Sequence, residues 1–554
     1  MFVPLGVSGP QASQDSLYRV SKQTDAEELH ADTAKQVSAS SVLKQLHNRR
    51  PHRHTDDAKS DEKSDASSDG TLTPPSDRNL DFSHPPAPPP PQQQKQMRPT
   101  PTQSFFTPRV SILDYTELMY QGSDRIRGLV TCFWTIVGAY LVSLLVSHYE
   151  ASGEVMARGL GSLIFSRATE LILSDMLLVA STVFVVPFVR LLWTSGLVDP
   201  RLRRSAGLQA AAEVAWLAAW YLWQGTRGWP WSQRCFFALH TMVNWMKVHS
   251  YLSTNRHLAG LFCTRNALEK EAGSKENQTG LKADEAIAAL DAELCPYGDL
   301  RFPQNLTLGN YAMFQLCPAL VYEIEYPRTE SIRWGYVAEK LLGTAGIFVV
   351  FYIVVAHLMI PHLERMAHVG ILSTTVHLMG PMATCWLLFF FITFDCIANG
   401  FAELTRFADR RFYDDWWNAR GLDEFSRKWN RPVHMFLARH IYMPVRQNWK
   451  PGSAAAALSS VRRAVPASVA AMAVTFFFSS VLHEVTIVVA CMRWNHGVFF
   501  FSQMMQIPLI MFSDKVPWFR DQQALRNWSF WLAMVFFQPL LLCLYTYKSF
   551  AKSV

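Results

Sequence analysis

Beyond about residue 110 the chain alternates apolar runs of roughly 20 residues with short polar connections, and a helix needs that length to cross the hydrocarbon of a bilayer. Nine runs stand out: Gly128–Ser147, Leu171–Phe188, Ala206–Trp223, Trp231–Leu252, Gly335–Ile360, Pro381–Ala402, Pro466–Ala490, Gly497–Phe512 and Asn527–Tyr547. They predict an all-α polytopic membrane protein of about nine transmembrane helices. One stretch between runs breaks the pattern. Arg411 to His434, RFYDDWWNARGLDEFSRKWNRPVH, is too polar to span yet carries three tryptophans.

Upstream of the runs the pattern disappears. HRHTDDAKSDEKSDASSDG (His52 to Gly70) mixes charge, Ser and Gly, and PPAPPPPQQQKQ (Pro85 to Gln96) is a proline run. Neither has the apolar content to offset chain-ordering entropy, so residues 1–109 read as a disordered, polar and Pro-rich arm. Its proline run reads as a spacer rather than a partner's ligand. The opening MFVPLGVSGPQASQD lacks the basic start and continuous apolar core of a secretory signal. The multi-span region then occupies 110–554.

Composition agrees with a membrane protein. Hydrophobic residues make up 49% and charged residues 18%, below the roughly 25% charged residues of soluble domains. Basic residues set the orientation. Arg201, Arg203 and Arg204 lie between the second and third runs, which puts that side and the N-terminus in the cytosol. Counting through the spans leaves the Arg- and Lys-rich stretch from Phe401 to Val465 cytosolic too. The sequons at Asn277, Asn305 and Asn527 fall on the same side or at its border, so no glycans are expected there. The nine cysteines form no CxxC pair or Cys/His cluster, and no metal site is expected.

Two places carry candidate chemistry. In FFFSSVLHEVTIVV, His483 and Glu484 sit inside an apolar run, where ionisable residues are costly and face a bundle interior or a wet cavity. Ser479 and Ser480 precede His483 by four and three positions and can share its helix face, whereas Glu484 points about 100° away. An imidazole removed from water is driven to its neutral form, which can accept a proton from an alcohol. A histidine tied structurally to a neighbouring helix is the plain alternative. The second place is the tryptophan-rich stretch. Its aromatics suit a membrane boundary, and its Arg and Lys suit an amphipathic anion with phosphates. Pro432 favours a first helical turn, which places Asn430 just before a helix. The N-terminal N–H groups of that helix, with the Asn430 amide, would offer donors to developing negative charge.

These residues resemble a known family. FYDDWWN (Phe412 to Asn418) fits the FYxDWWN signature of the eukaryotic membrane-bound O-acyltransferases that include sterol and diacylglycerol O-acyltransferases. KWNRPVH (Lys428 to His434) and SSVLHE (Ser479 to Glu484) fit its next two blocks in order. The resemblance runs from about Val110 to the C-terminus. It implies a helical bundle around an intramembrane reaction chamber and transfer of a fatty acyl group from acyl-CoA to a lipid hydroxyl. It further implies His483 as catalytic base and Asn430 as its partner at the thioester. Arg427, Trp429, His434 and Ser479 would belong to the acyl-CoA site. Arg463, in a loop longer than in animal relatives, is the basic residue assigned to the CoA phosphates. Phe412, Tyr413, Asp415, Trp416, Trp417 and Asn418 would lie near the CoA entrance, structural as much as contacting.

PALVYEIEYPRTESIRWGYVAEK (Pro318 to Lys340) and FFFSQMMQIPLIMFSDK (Phe499 to Lys515) resemble the sterol-type, fungal branch, which implies a steryl ester product. Gln538 before Pro539 resembles the diacylglycerol enzymes instead. A diacylglycerol acyltransferase, or a sterol-binding or transporting membrane protein, are the competing readings. Acyl-CoA is expected as co-substrate with no cofactor, membrane lipids as surroundings, and nucleic acid is not an expected partner. The resemblance also implies a homo-oligomer, dimer or tetramer, in the endoplasmic reticulum membrane.

Overall fold

In the computed structural model the described residues are 106–113, isolated positions between 132 and 153, 165–272, 280–296, 300–449, 465–492 and 497–550. Most of the expected first span, Gly128–Ser147, lies outside them, as do residues 1–105 of the arm, Asn277 and Arg463. Among the described residues the secondary structure is helical, with two isolated β-bridges, Arg109 to Asp409 and Arg328 to Phe407.

Five helices are long and apolar enough to cross a membrane: α1 (Ala168–Thr194), α6 (Trp334–Glu364), α7 (Ile371–Leu404), α10 (Ala467–Cys491) and α14 (Gln523–Tyr547 within Gln523–Phe550). Each covers an expected run. Between α1 and α6 lie α2 (Arg203–Gly225), α3 (Trp231–Ala272), α4 (Gly280–Leu294) and α5 (Leu308–Leu316). Helix α3 has 42 residues, far beyond the expected Trp231–Leu252. At 1.5 Å per residue it is about 63 Å long, twice a hydrocarbon core. After α7 come α8 (Leu422–Lys428) and α9 (431–448), the latter interrupted by a π turn at Ala438–Tyr442. The run expected over Gly497–Phe512 is two short helices, α11 (Val498–Met504) and α12 (Gln506–Lys515), followed by α13 (Pro517–Asp521).

The chain divides into two units. In the first, Thr264–Pro296, described through the end of α3 and α4, buries Leu268, Ala286 and Leu290 and pairs Arg265 with Asp291 at 2.9 Å. The second, Phe106–Cys263 with Tyr297–Val554, carries every residue discussed below.

Within the second unit α7 lies along α14 and packs on α6. Their shared core holds Val354, Met359, Leu363, Leu378, Cys385 and Cys543. Gly370, at φ +83°, makes the turn into α7, a conformation that favours glycine. Charges buried between α6 and α7 are paired. Lys340 Nζ lies 3.1 Å from Asp395, and Glu403 is held by Arg333 at 3.1 Å and Arg410 at 2.5 Å. Removing one partner of the buried Lys340–Asp395 pair costs about 3–5 kcal/mol, because a buried charge loses its partner. Lys247 of α3, also buried, donates to the carbonyls of Phe314 and Cys317 at 2.8 and 2.7 Å and so closes the C-terminal end of α5.

Candidate active site

The tryptophan-rich stretch folds into the protein. Phe412, Tyr413 and Trp416 are all buried. Trp416 lies edge-on to Trp386 of α7 at 4.8 Å and to Trp429 at 5.0 Å, and the Trp386 and Trp429 rings stack at 4.3 Å. Trp417 presents its carbonyl to Asn527 and Trp531 of α14, at 3.0 and 3.2 Å. These rings form a small core between α7, α8 and α14.

The acidic residues of the same loop brace the next block. Asp415 pairs with Lys428 at 2.9 Å and Asp414 with Arg431 at 2.7 Å. Asn418 closes back on Asp415, its N–H donating to the Asp415 carbonyl at 3.0 Å. Two backbone hydrogen bonds run alongside: Asp414 N–H to the Lys428 carbonyl at 2.8 Å, and Arg431 N–H to the Phe412 carbonyl at 2.9 Å. Asn430 sits between those two anchor points. It caps α9 as Pro432 leads one to expect, its Oδ1 accepting from Val433 N–H at 3.1 Å.

That cap corrects one expectation. The first turn of α9 has no spare N–H. The Arg431 N–H goes to Phe412, Pro432 has none, Val433 is taken by the Asn430 side chain, and His434 N–H goes to the Asn430 carbonyl. What remains is the Asn430 carboxamide NH₂, which has no hydrogen-bond partner among the described residues.

His434 lies one turn on and is half-buried. Burial pushes its imidazole down to about 4, the nearby Arg427 and Arg431 charges add to this, and Asp414 opposes it. The ring is therefore neutral near pH 7. Arg427 is exposed and pairs with Asp423 at 2.9 Å. With Arg420, Glu424, Asp521, Gln523 and Arg526 it lines an open polar hollow of about 560 Å³. Burial alone would raise Glu424, but hydrogen bonds from Lys428 and Arg420 hold it at about 2.

On α10, His483 Nδ1 lies 2.7 Å from the Ser479 carbonyl and 3.4 Å from the Ser479 hydroxyl. A carbonyl only accepts, so Nδ1 carries the proton and Nε2 keeps its lone pair. The ring stacks on Phe499 at 5.4 Å and remains accessible. Gln503 donates to the Ser479 hydroxyl at 3.3 Å. Ser480 is buried and donates back to the Phe476 carbonyl, so only Ser479 joins His483. Glu484 points elsewhere, as helix geometry requires. Buried, it accepts from Tyr545 of α14 at 2.9 Å and from the Phe500 N–H at 3.0 Å.

The structure thus brings the candidates together as two groups, one around Asn430 and one around His483. Among the described residues no hydrogen bond or ring contact joins them. They are linked through packing: α9 lies against α10, and Trp245 of α3 touches Phe436 of α9 at 6.1 Å and Phe478 of α10 at 5.9 Å. Beside this contact lies a polar cluster the sequence reading missed. Glu213 of α2 meets His249 Nδ1 at 2.7 Å, the His249 and His440 rings touch at 5.0 Å, and His440 Nε2 bonds Ser250 at 2.9 Å. Ionisable residues inside two expected spans were the available signal. Two of the sequon side chains, those of Asn305 and Asn527, are also engaged. The Asn305 amide is buried against Asn255 and Tyr322, and that of Asn527 serves Trp417 and Ala419.

A model of the membrane-bound O-acyltransferase family matches residues 296–547. Probable sterol O-acyltransferase 2 of Schizosaccharomyces pombe is 30% identical over 438 residues, which cover 76% of this chain and 86% of that protein. The chain belongs to the membrane-bound O-acyltransferase family. Sterol O-acyltransferase 2 of Saccharomyces uvarum is 30% identical, covering 76% of this chain and 66% of its own length. Diacylglycerol O-acyltransferase 1-1 of Oryza sativa subsp. japonica is also 30% identical, over 55% of this chain and 50% of its own. Both residue groups fall inside the stretch matched to the membrane-bound O-acyltransferase model. The chain is a membrane-embedded, multi-pass acyltransferase.

Proposed function

We propose that this acyltransferase moves a fatty acyl group from acyl-CoA to the 3-hydroxyl of a sterol, making a steryl ester for storage. The sterol assignment is supported by the two sterol O-acyltransferases, each matched over 76% of this chain, against 55% for the diacylglycerol enzyme.

The chemistry rests on one observation: the Nδ1–H of His483 is committed to the Ser479 carbonyl, which leaves Nε2 as a base. The sterol oxygen bonds to the thioester carbonyl carbon while its proton passes to Nε2, a role worth about 10²–10⁴ in rate. The carbonyl oxygen gains negative charge and accepts from the Asn430 carboxamide, a contact whose loss costs about 10²–10³. The carbon–sulfur bond then breaks, and the departing CoA sulfur takes the proton from His483. Arg427 and His434 serve the acyl-CoA, with Trp429 and Ser479 lining its path and Arg463 at its phosphates. The full bundle has about nine spans, sits in the endoplasmic reticulum membrane with its N-terminus cytosolic, and assembles as a homo-oligomer.

Microsomes carrying the protein, given labelled acyl-CoA with either sterol or diacylglycerol, test the acceptor. Steryl ester is the expected product. Triacylglycerol as sole product overturns the assignment.

A further inference from the structure

Residues 106–113, which precede all the helices described above, are docked on the loop that braces Asn430. Phe106 is buried, edge-on to Tyr326 at 5.1 Å and Phe407 at 5.5 Å. Arg109 exchanges backbone hydrogen bonds with Ala408 and Arg410, at 3.0 and 2.7 Å. Its guanidinium forks onto the buried Asp409 carboxylate, with Nε 2.9 Å from Oδ1 and Nη2 on Oδ2. The Thr107 N–H reaches the same carboxylate at 3.3 Å. Further along, the Tyr413 hydroxyl accepts from Ser111 Oγ at 3.2 Å and from Leu113 N–H at 2.9 Å.

Tyr413 stands between Phe412 and Asp414, the two residues whose backbones hold Arg431 and Lys428. Those contacts in turn fix Asn430 at φ −139° and ψ 88°, where α9 begins. Arg109 at Asp409 and Ser111 at Tyr413 therefore grip the loop whose next residues, Phe412 and Asp414, hold the backbone on either side of Asn430. A bidentate Arg–carboxylate pair is among the strongest links of its kind, and this one is partly shielded from water.

We propose that residues 106–113 form a latch, and that Arg109 and Ser111 are positioning residues for acyl transfer, acting through the FYDDWWN loop on Asn430. The proposal rests on the reading of Asn430 as the donor to the thioester oxygen. A misplaced donor weakens transition-state stabilisation without removing a substrate contact, so the loss belongs in kcat.

The test is a double-mutant cycle on the purified full-length enzyme, with kcat and apparent KM for acyl-CoA measured for each variant. Arg109→Ala is expected to lower kcat about tenfold and to leave KM within about twofold, with partial recovery in Arg109→Lys. In the Asn430→Ala background the same substitution should cost less than about twofold, because the group it positions is gone. A full tenfold loss in that background, or a loss carried by KM alone, overturns the latch. Near-normal kcat in Asn430→Ala by itself overturns the oxyanion reading instead. Ser111→Ala leaves the Arg109–Asp409 pair in place, and it runs the same cycle if Arg109→Ala does not accumulate.

Discussion

His434 offers a test in which charge and burial set the sign. Its ring is half-buried, and burial first, then the Arg427 and Arg431 charges, lower it to about 4 against the opposing charge of Asp414. Moving a histidine from 6.5 to about 4 amounts to on the order of 3 kcal/mol of preference for the neutral ring. The folded protein therefore binds this proton less readily than the unfolded chain does. The stability contribution is complete above pH 6.5, declines as pH falls, and is gone by about pH 4. Other groups titrate in the same window, so the measurement is a difference. Thermal midpoints of detergent-solubilised wild type and His434→Gln should be compared at steps from pH 7.5 to about 4. Glutamine keeps a polar side chain and cannot take up the charge. The wild type should lose more of its midpoint than the variant on acidification, with most of the extra loss between pH 6.5 and 4. Parallel curves would refute the reasoning, as would a directly observed His434 titration near 6.5.

Three further outcomes are expected. His483→Ala should abolish ester formation while the protein still accumulates in membranes; retained turnover would remove it from the chemistry. Arg427→Ala should raise the apparent KM for acyl-CoA with little change in kcat, and its exposed pair with Asp423 should add no more than about 1 kcal/mol of stability. Tyr545→Phe takes away the hydroxyl that donates to buried Glu484 and accepts from Phe499 N–H, and should destabilise by about 1–3 kcal/mol in a thermal shift, with kcat falling less than in His483→Ala.

Local rules carried the sequence reading a long way. Apolar runs gave the positions of α1, α6, α7, α10 and α14, since length and hydropathy are properties of a contiguous segment. Pro432 was enough to place the start of α9 and its cap at Asn430. The pairing of Ser479 with His483 followed from their spacing alone. Partners brought from elsewhere were not legible. The N–H that the start of α9 was expected to offer is consumed by Phe412, on another loop. Arg109 and Asp409 are 300 positions apart, and the Glu213–His249–His440 cluster draws on three helices. The polar stretch with three tryptophans looked like a surface element because periodicity cannot reveal that Trp386 and Trp531 close over it.

The π turn in α9 has a consequence for how this helix tolerates change. It places one residue more between the two halves than a regular ladder would. Deleting one position within Ala438–Tyr442 would restore regular winding and leave the flanking residues close to their present faces, because the wide turn is what absorbs the extra residue. Phe436 would stay near Trp245, and the Asn430 cap would keep its place. One lost codon is therefore better tolerated here than in a regular stretch of helix, where it would turn one half about 100° against the other.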